Sequence, residues 1–201
     1  MENLINRAKD IVLQPKTTWE VIKTEETTTS GILTNYLFPL ALVPAIASFI
    51  GYGFIGFNVG IFGRAASIEW GIGQAVTTFV STFIGVIISA WVISQLGKNF
   101  GTTTSMNDAA KLVAYSYTPA LIAGIFYLIP SLIIIVVLGG LYSLYLLYIG
   151  FQPMTNVSEQ RKTSYFMVSL IAIIVVSAVL FAALGSILAT LGLVGYQSIN
   201  M

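Results

Sequence analysis

The sequence of 201 residues contains no cysteine and no histidine, and only 8% of its residues are charged. Without these two residue types the chain has no disulfide framework, no thiolate chemistry, no Cys/His metal site and no His-based catalytic triad. Soluble domains carry about a quarter charged residues. The shortage of charge therefore excludes an ordinary soluble domain, and we expect neither a metal nor a cofactor.

Charged residues are missing from four long intervals that consist mainly of aliphatic residues, Phe and Gly: 27–63, 70–97, 112–158 and 163–201. A helix needs about 20 apolar residues to cross the roughly 30 Å of membrane hydrocarbon. The third interval is long enough for two spans, which Pro130 and Ser131 separate because proline breaks a helix. The sequence predicts an all-α bundle of five transmembrane helices in a domain covering 27–201, with spans at 31–57, 71–96, 109–129, 131–151 and 165–191.

Basic residues are divided unequally when the five spans alternate across the membrane. Only Arg64 lies on one side. The side of the N-terminus has the other eight: Arg7, Lys9, Lys16, Lys23, Lys98, Lys111, Arg161 and Lys162. Because Lys and Arg favour the cytoplasmic side, we expect a multi-pass protein of the cytoplasmic (inner) membrane with a cytoplasmic N-terminus and an extracytoplasmic C-terminus. Membrane lipids are the expected partners, and no nucleic acid is expected.

Residues 1–26 form the one substantial segment predicted outside the hydrocarbon. Apolar residues recur there at helical spacing, which predicts an amphipathic helix on the cytoplasmic surface: Leu4, Ile5, Ala8, Ile11 and Val12. Pro15 should end this helix, and Thr17 with Glu20 is typical of a capping box that starts a second one. Trp19, with its apolar ring and single donor, is predicted to anchor the segment at the lipid interface. Packing on the bundle or on headgroups is favoured over partner binding.

Several glycine and small-residue patterns indicate close packing. The string from Gly51 to Gly56 matches G-x-G-x-x-G, but it ends a membrane span, so it does not favour dinucleotide binding. Gly56 and Gly60 form a G-x-x-x-G pair at the bilayer edge. In the second and fifth spans, small residues at near-helical spacing favour packing within the chain, with contact between copies as the alternative: Ser81, Gly85, Ser89, Ala178, Ala182, Gly185 and Ala189.

The third span has the least ordinary chemistry. Ser105 and Asp108 are typical of a capping box, and the stem of Lys111 can reach back to the surface. Pro119 lacks an amide donor, so it should bend the helix and leave the carbonyl oxygen of Tyr115 for a side-chain donor, a water or a ligand. With the tyrosines of the next span we predict a polar, kinked patch, in which structural hydrogen bonding is favoured: Tyr115, Pro119, Tyr142 and Tyr145.

The string Ala114-Tyr115-Ser116-Tyr117-Thr118-Pro119 resembles the G-Y-x-x-x-P motif of the Yip family, multi-pass membrane proteins named for interacting with Ypt/Rab GTPases. Alanine stands in place of the glycine. The segment Pro15-Lys16-Thr17-Thr18-Trp19 is similar to the Pro-x-x-x-Trp stretch that precedes the first span in prokaryotic members. Five spans and a cytoplasmic N-terminus fit as well, so the resemblance covers nearly the whole chain.

One departure limits what the resemblance implies. Eukaryotic members have a D-L-Y-G-P string near the first span, whereas this chain has Asn35-Tyr36-Leu37-Phe38-Pro39, without the acid or the glycine. The long cytosolic domain of those members is also missing. The family implies vesicle traffic, membrane shaping and GTPase recruitment. For a short member of prokaryotic type the resemblance implies a fold rather than an activity, and we do not expect a GTPase partner.

Three function classes follow. We favour a non-enzymatic membrane protein that acts as an adaptor or organises lipids, other membrane proteins or further copies of itself. The alternative is a transporter, channel or lipid-translocating protein for a neutral or lipid substrate, because uncharged polar residues such as Ser89 and Ser116 can line a path while ionisable ones deep in the spans are missing. An intramembrane enzyme is disfavoured, since the spans contain no carboxylate pair and only Ser105 or Ser116 with Lys111 remains.

Overall fold

Five apolar helical segments form most of the chain in the computed structural model, which describes residues 2–58 and 64–190. Each is long and apolar enough to cross a membrane, and the predicted all-α bundle of five spans is confirmed. We refer to them as the first to fifth spans: Thr29–Ile55, Ile68–Phe100, Met106–Leu128, Pro130–Thr155 and Glu159–Val179. The predicted end of the fifth span, Leu191, lies outside the described residues.

Two short helices precede the spans, α1 (Glu2–Leu13) and α2 (Pro15–Thr24). The predicted capping box at Thr17 is wrong. Pro15 is the first residue of α2, where its missing amide hydrogen costs nothing, and Gln14 is the N-cap. The Thr17 hydroxyl donates back to the Gln14 carbonyl oxygen at 3.0 Å instead of capping the helix. We call α1 and α2 together the N-terminal hairpin.

The first span combines α3 (Thr29–Ile32), a π-helical turn (Leu33–Leu37), α4 (Phe38–Ile50) and a second π-helical turn (Gly51–Ile55). The G-x-G-x-x-G string lies in that last turn, where it joins a helix to a short β-ribbon, and no strand precedes it among the described residues. In this β-ribbon, β1 (Phe57–Asn58) pairs antiparallel with β2 (Arg64–Ala65). Gly60 lies outside the described residues.

The second span is α5 (Ile68–Leu96) followed by a 3-10 turn, Gly97–Phe100. The third consists of α6 (Met106–Ser116), α7 (Thr118–Ala123) and a 3-10 turn, Gly124–Leu128. A 3-10 turn (Pro130–Leu132) and α8 (Ile133–Thr155) form the fourth, and α9 (Glu159–Thr190) contains the fifth. Ile129 is extended, with φ −122° and ψ 93°, so the predicted break at Pro130 is confirmed.

The core lies around the third span. Within the most apolar window of each span, 67% of the third-span residues are buried, against 17% in the fourth and in the fifth. The core also contains Ile11 and Trp19 of the N-terminal hairpin, which are 0% and 1% exposed. The hairpin is therefore an integral part of the fold, and the fourth and fifth spans turn most of their surface outward.

Candidate functional site

A chain of hydroxyl groups occupies the helix break before Pro119. The Thr118 hydroxyl donates to the carbonyl oxygen of Tyr115 at 2.7 Å, which is the oxygen that Pro119 leaves without an amide donor. Because a hydroxyl has one hydrogen, the Tyr36 hydroxyl must be the donor in its own 2.7 Å contact with Thr118 Oγ1. The side-chain donor expected for the Tyr115 carbonyl is thus Thr118, and the first and third spans are joined at this point.

The backbone beyond the break is satisfied by the fourth span. Ser143 of α8 accepts a hydrogen bond from the amide of Ala120 at 3.1 Å through its hydroxyl oxygen. The ring of Tyr115 lies 4.4 Å from that of Tyr36 and 6.5 Å from that of Trp19, measured between centroids. Polar groups freed by Pro119 are therefore paired within the protein, in an aromatic setting shared by the hairpin and two spans.

Trp19 is buried by the protein and does not face lipid. Its ring is 1% exposed and lies against Gly150 of α8, where a side chain would collide with it. Its indole nitrogen is among the buried polar atoms without a hydrogen-bond partner in the described residues. The structure therefore differs from the predicted interfacial anchor, because a glycine in the fourth span provides a slot that takes the whole ring.

Lys111 fastens the end of α2 to the third span. Its side chain is 4% exposed, and its ammonium group donates to the carbonyl oxygen of Glu25 at 2.9 Å and contacts that of Ile22 at 3.5 Å. It also pairs with Asp108 at 2.9 Å. A cation at these last carbonyls is favoured, since they form the negative end of a helix. Lys111 does not reach back to the surface as expected.

Three further contacts lie where the hairpin, the first span and the third span meet. Arg7 of α1 forms an ion pair with Glu25, just after α2. The side-chain oxygen of Asn107 accepts hydrogen bonds from the amide and hydroxyl of Thr29, at 2.9 and 2.7 Å. The predicted capping box is confirmed next to them, because Ser105 Oγ accepts from the Asp108 amide at 3.0 Å and donates to its carboxylate at 2.7 Å. Charged and polar groups thus cluster where the hairpin meets the third span.

The predicted tyrosine patch is divided between two places. Tyr115 and Pro119 are buried at the helix break. Tyr142 donates its hydroxyl to the carbonyl oxygen of Val12 at 2.7 Å and so binds the end of α1. Tyr145 stacks on Tyr142 at 5.6 Å and is 47% exposed. The four residues therefore do not line one pocket. They belong to the surface of the third and fourth spans on which the N-terminal hairpin docks.

Comparison with known proteins assigns the sequence to a family. The Yip1 domain model matches residues 9–181, which include most of the hairpin and all five spans. The chain belongs to the Yip1 domain family. It is also 28% identical over 173 residues to "Inner membrane protein YohC" of Escherichia coli (strain K12), covering 84% of this chain and 88% of that protein. YohC of Escherichia coli O6:H1 gives the same values. No solved structure matches.

The Yip1 domain contains a small cavity inside the membrane-spanning part. It has a volume of about 190 Å³ and lies between α5, the α6–α7 break, α8 and α9. Its wall is mainly apolar, with hydroxyl groups from Ser89, Ser116, Tyr117 and Ser143. Among the described residues, no three acidic side chains come together in a way that could hold a metal ion. The cavity therefore suits a small, largely apolar group.

The two small-residue faces of this Yip1 domain have different surroundings. Ser89 is buried and lines the cavity, Ser81 is half-buried, and a methyl group on Gly85 would lie 4.0 Å from the Tyr117 hydroxyl. On α9, Ala178 and Ala182 are exposed. The remaining pair, Gly185 and Ala189, lies in the part of α9 where only the backbone is described. Packing within the chain therefore agrees with the small-residue face of the second span, whereas Ala178 and Ala182 of α9 do not pack within the chain.

Sequence reasoning missed three glycines that allow close helix contacts in the Yip1 domain. Gly124 approaches Pro44 of the first span, and Gly139 approaches Ala123; an added methyl would lie 2.4 Å from the Cβ atom of each partner. Gly150 accommodates Trp19 in the same way. Single glycines within apolar runs were the available signal, but the sequence does not say which helix each one faces.

Proposed function

We propose that this chain is a non-enzymatic integral membrane protein that organises membrane lipids or other membrane proteins, with the N-terminal hairpin as the surface they meet. The observation that supports this is the role of Lys111. It is the sixth residue of the third span, and no Asp, Glu, Lys or Arg in the described spans lies farther from a span end. Transporters and pumps use such groups on their ion pathways. Here the ammonium group fastens the hairpin.

We also infer that the N-terminus is cytoplasmic and that the C-terminus lies on the opposite side. The unequal placement of basic residues supports this orientation, since eight of nine fall on the side of the N-terminus. Membrane lipids are the first partners, and other membrane proteins or a second copy of the chain are the alternatives. No GTPase partner and no catalytic role are part of the proposal.

Site-specific photo-crosslinking in intact membranes tests the proposal. A photoreactive residue replaces Glu20, which is exposed on α2, and a matched control replaces Ile134, which is 61% exposed on the fourth span. We expect defined protein or lipid adducts at position 20 that disappear when Lys111→Met releases the hairpin. The control should give lipid adducts in both backgrounds. Identical adducts at position 20 with and without Lys111 would contradict a working surface on the docked hairpin.

A second function, passage of a neutral or lipid substrate, is supported by the hydroxyl-lined cavity. Its volume of about 190 Å³ is similar to an engineered apolar cavity of roughly 150 Å³ that binds benzene. Vesicles containing the purified protein distinguish the two functions. Rates of solute flux and phospholipid exchange equal to those of empty vesicles agree with the organiser. Rates that rise with the protein and fall in Ser116→Leu would favour a conduit.

A further inference from the structure

The tip of the N-terminal hairpin lies level with the middle of two spans. Tyr142, which donates to the Val12 carbonyl oxygen, is the thirteenth of the 26 residues in the fourth span. Helix α1 also packs against α7, whose first residue, Thr118, is the thirteenth of the 23 residues in the third span. The Tyr142 contact therefore places the end of α1 beside the midpoint of the fourth span, and the packing on α7 agrees with this depth.

This position is deep when it is expressed as a length. Thirteen residues separate Tyr142 from Thr155, the end of α8, and at 1.5 Å per residue they cover about 20 Å along the helix. Half of the hydrocarbon thickness is about 15 Å, and the usual tilt of about 20° shortens the length only slightly. Helix α2 then returns toward the span end, because Glu20 and Lys23 share a groove with Gln152 and Asn156.

The outward face of the hairpin is nevertheless polar. Lys9, Asp10, Gln14, Lys16 and Thr17 are all exposed. A groove of about 550 Å³ runs between α1 and α2, and all of its lining residues except Val21 are polar or charged: Asn3, Asn6, Arg7, Asp10, Gln14, Thr17, Thr18 and Val21. Polar groups without partners are unfavourable in hydrocarbon. Lipid tails alone therefore cannot surround this part of the protein.

We propose that water and phospholipid headgroups follow this groove into the membrane, so that the leaflet on the side of the N-terminus is thinned beside the third and fourth spans. Bilayers accommodate polar groups at depth by local thinning and water entry. The ammonium groups of Lys9 and Lys16 bind lipid phosphate, while Asn6, Gln14 and Thr17 hydrogen-bond to headgroup oxygens and water. The inference deepens the proposed function, on which it rests, by naming headgroups as what the hairpin organises.

Two apolar residues on α1 identify lipid, and not bulk water, as the neighbour of the hairpin. Ile5 and Leu13 are 64% and 65% exposed, with Lys9 midway between them on the same helical face. Alternation of apolar and cationic side chains on one exposed face is typical of helices at the boundary between headgroups and acyl chains. The polar groove and this mixed face are both expected of a surface where the headgroup layer lies deeper in the membrane than in the surrounding bilayer.

Single cysteines test the inference, because the chain contains no other thiol. Gln14→Cys reports the groove at the hairpin tip. Ile87→Cys, at a position 42% exposed near the middle of the second span, reports an ordinary lipid-facing surface. Ile11→Cys, at a position 0% exposed on α1, reports docking, and Ala8→Cys at 5% is a second such position with a smaller change in volume. The reaction of each thiol with a water-soluble maleimide is timed in phospholipid vesicles.

We expect the thiol at position 14 to react at least about tenfold faster than those at 87, 11 and 8, since the thiolate is reactive and apolar surroundings suppress it. A bimane label at position 14 should also be quenched by phospholipids with a nitroxide on the headgroup more than by those with a nitroxide at the chain end.

Each other result would overturn the inference. A slow reaction at position 14 means that headgroups and water do not reach the tip. Equal rates at positions 14, 11 and 8 mean that the hairpin is undocked in the membrane. A fast reaction without headgroup quenching means that only water enters. An undocked hairpin would also contradict the proposed function. The other two results leave the crosslinking at position 20 unchanged, so the inference can fail while the proposed function stands.

Discussion

The indole ring of Trp19 fills the space that a side chain at position 150 would occupy. A methyl group on Gly150 would lie 2.3 Å from Cε2 of Trp19 and 2.6 Å from Cζ2. The rigid ring has no room to move away, because it is 1% exposed and is also in contact with Tyr115. Docking of the N-terminal hairpin therefore requires a residue without a side chain at position 150 of α8.

Gly150→Ala is expected to destabilise the docked hairpin by about 1–3 kcal/mol, the usual cost of overpacking a core. Gly140→Ala is the matched control on the same helix, since a methyl group there has nothing within 4 Å. Thermal unfolding in detergent measures the stability, and proteolysis near Gln14 measures release of the hairpin. Equal behaviour of the two variants would contradict the packing of Trp19 on Gly150.

Lys111→Met should loosen the same hairpin through lost hydrogen bonds. The change keeps an apolar stem but leaves the carbonyl oxygen of Glu25 without its Lys111 donor, at a cost of about 1–3 kcal/mol. The carbonyl oxygen of Ile22 keeps the hydrogen bond from the Glu25 amide. Lys98→Met is the control, because Lys98 is exposed at the end of the second span. The measurement is again unfolding in detergent, and a loss of stability in Lys98→Met as large as in Lys111→Met would contradict this role.

Thr118→Val should weaken the contact between the first and third spans. Valine has the shape of threonine without the hydroxyl, so the Tyr115 carbonyl oxygen loses its donor and the Tyr36 hydroxyl loses its acceptor. We expect about 1–3 kcal/mol less stability. Thr118→Ser keeps the hydroxyl and should recover most of the difference. If serine is as destabilising as valine, keeping the hydroxyl does not restore stability, which contradicts the role given to the hydroxyl chain.

Tyr142→Phe removes only the hydroxyl that binds the Val12 carbonyl oxygen. The expected loss is about 1 kcal/mol, with faster proteolysis at the turn between α1 and α2. Tyr145→Phe on the exposed neighbouring ring should change neither quantity, because the two rings stack without that hydroxyl. The comparison fails if both variants release the hairpin equally.

The spans and the broken third helix were predictable because they depend on local chemistry. Charge-free intervals fix the number of spans, the missing amide of Pro119 identifies the Tyr115 carbonyl, and Ser105 with Asp108 forms a local cap. Each of these features involves residues close together in the sequence. The π-helical turns of the first span also involve near neighbours, but no residue type there distinguishes them from ordinary helix.

The docking of the hairpin could not be predicted, since it depends on pairs that are far apart in sequence. Lys111 one turn into a span fits a side chain that reaches the surface as well as one that binds α2. Trp19 is as suitable for an interface as for a slot beside Gly150. Which glycine faces which ring follows from the rotation of each helix, and hydrophobic periodicity is weak in spans that are apolar all round.

The long sequence separation of the hairpin contacts has a consequence for the order of assembly. Glu25 and Lys111 are 86 residues apart, and Val12 and Tyr142 are 130 apart. At about 5–20 residues synthesised per second, the fourth span follows the hairpin by on the order of ten seconds. The hairpin is therefore made well before the helices it docks on, and during that interval its buried face, with Ile11 and Trp19, has to be sheltered by something other than its own bundle.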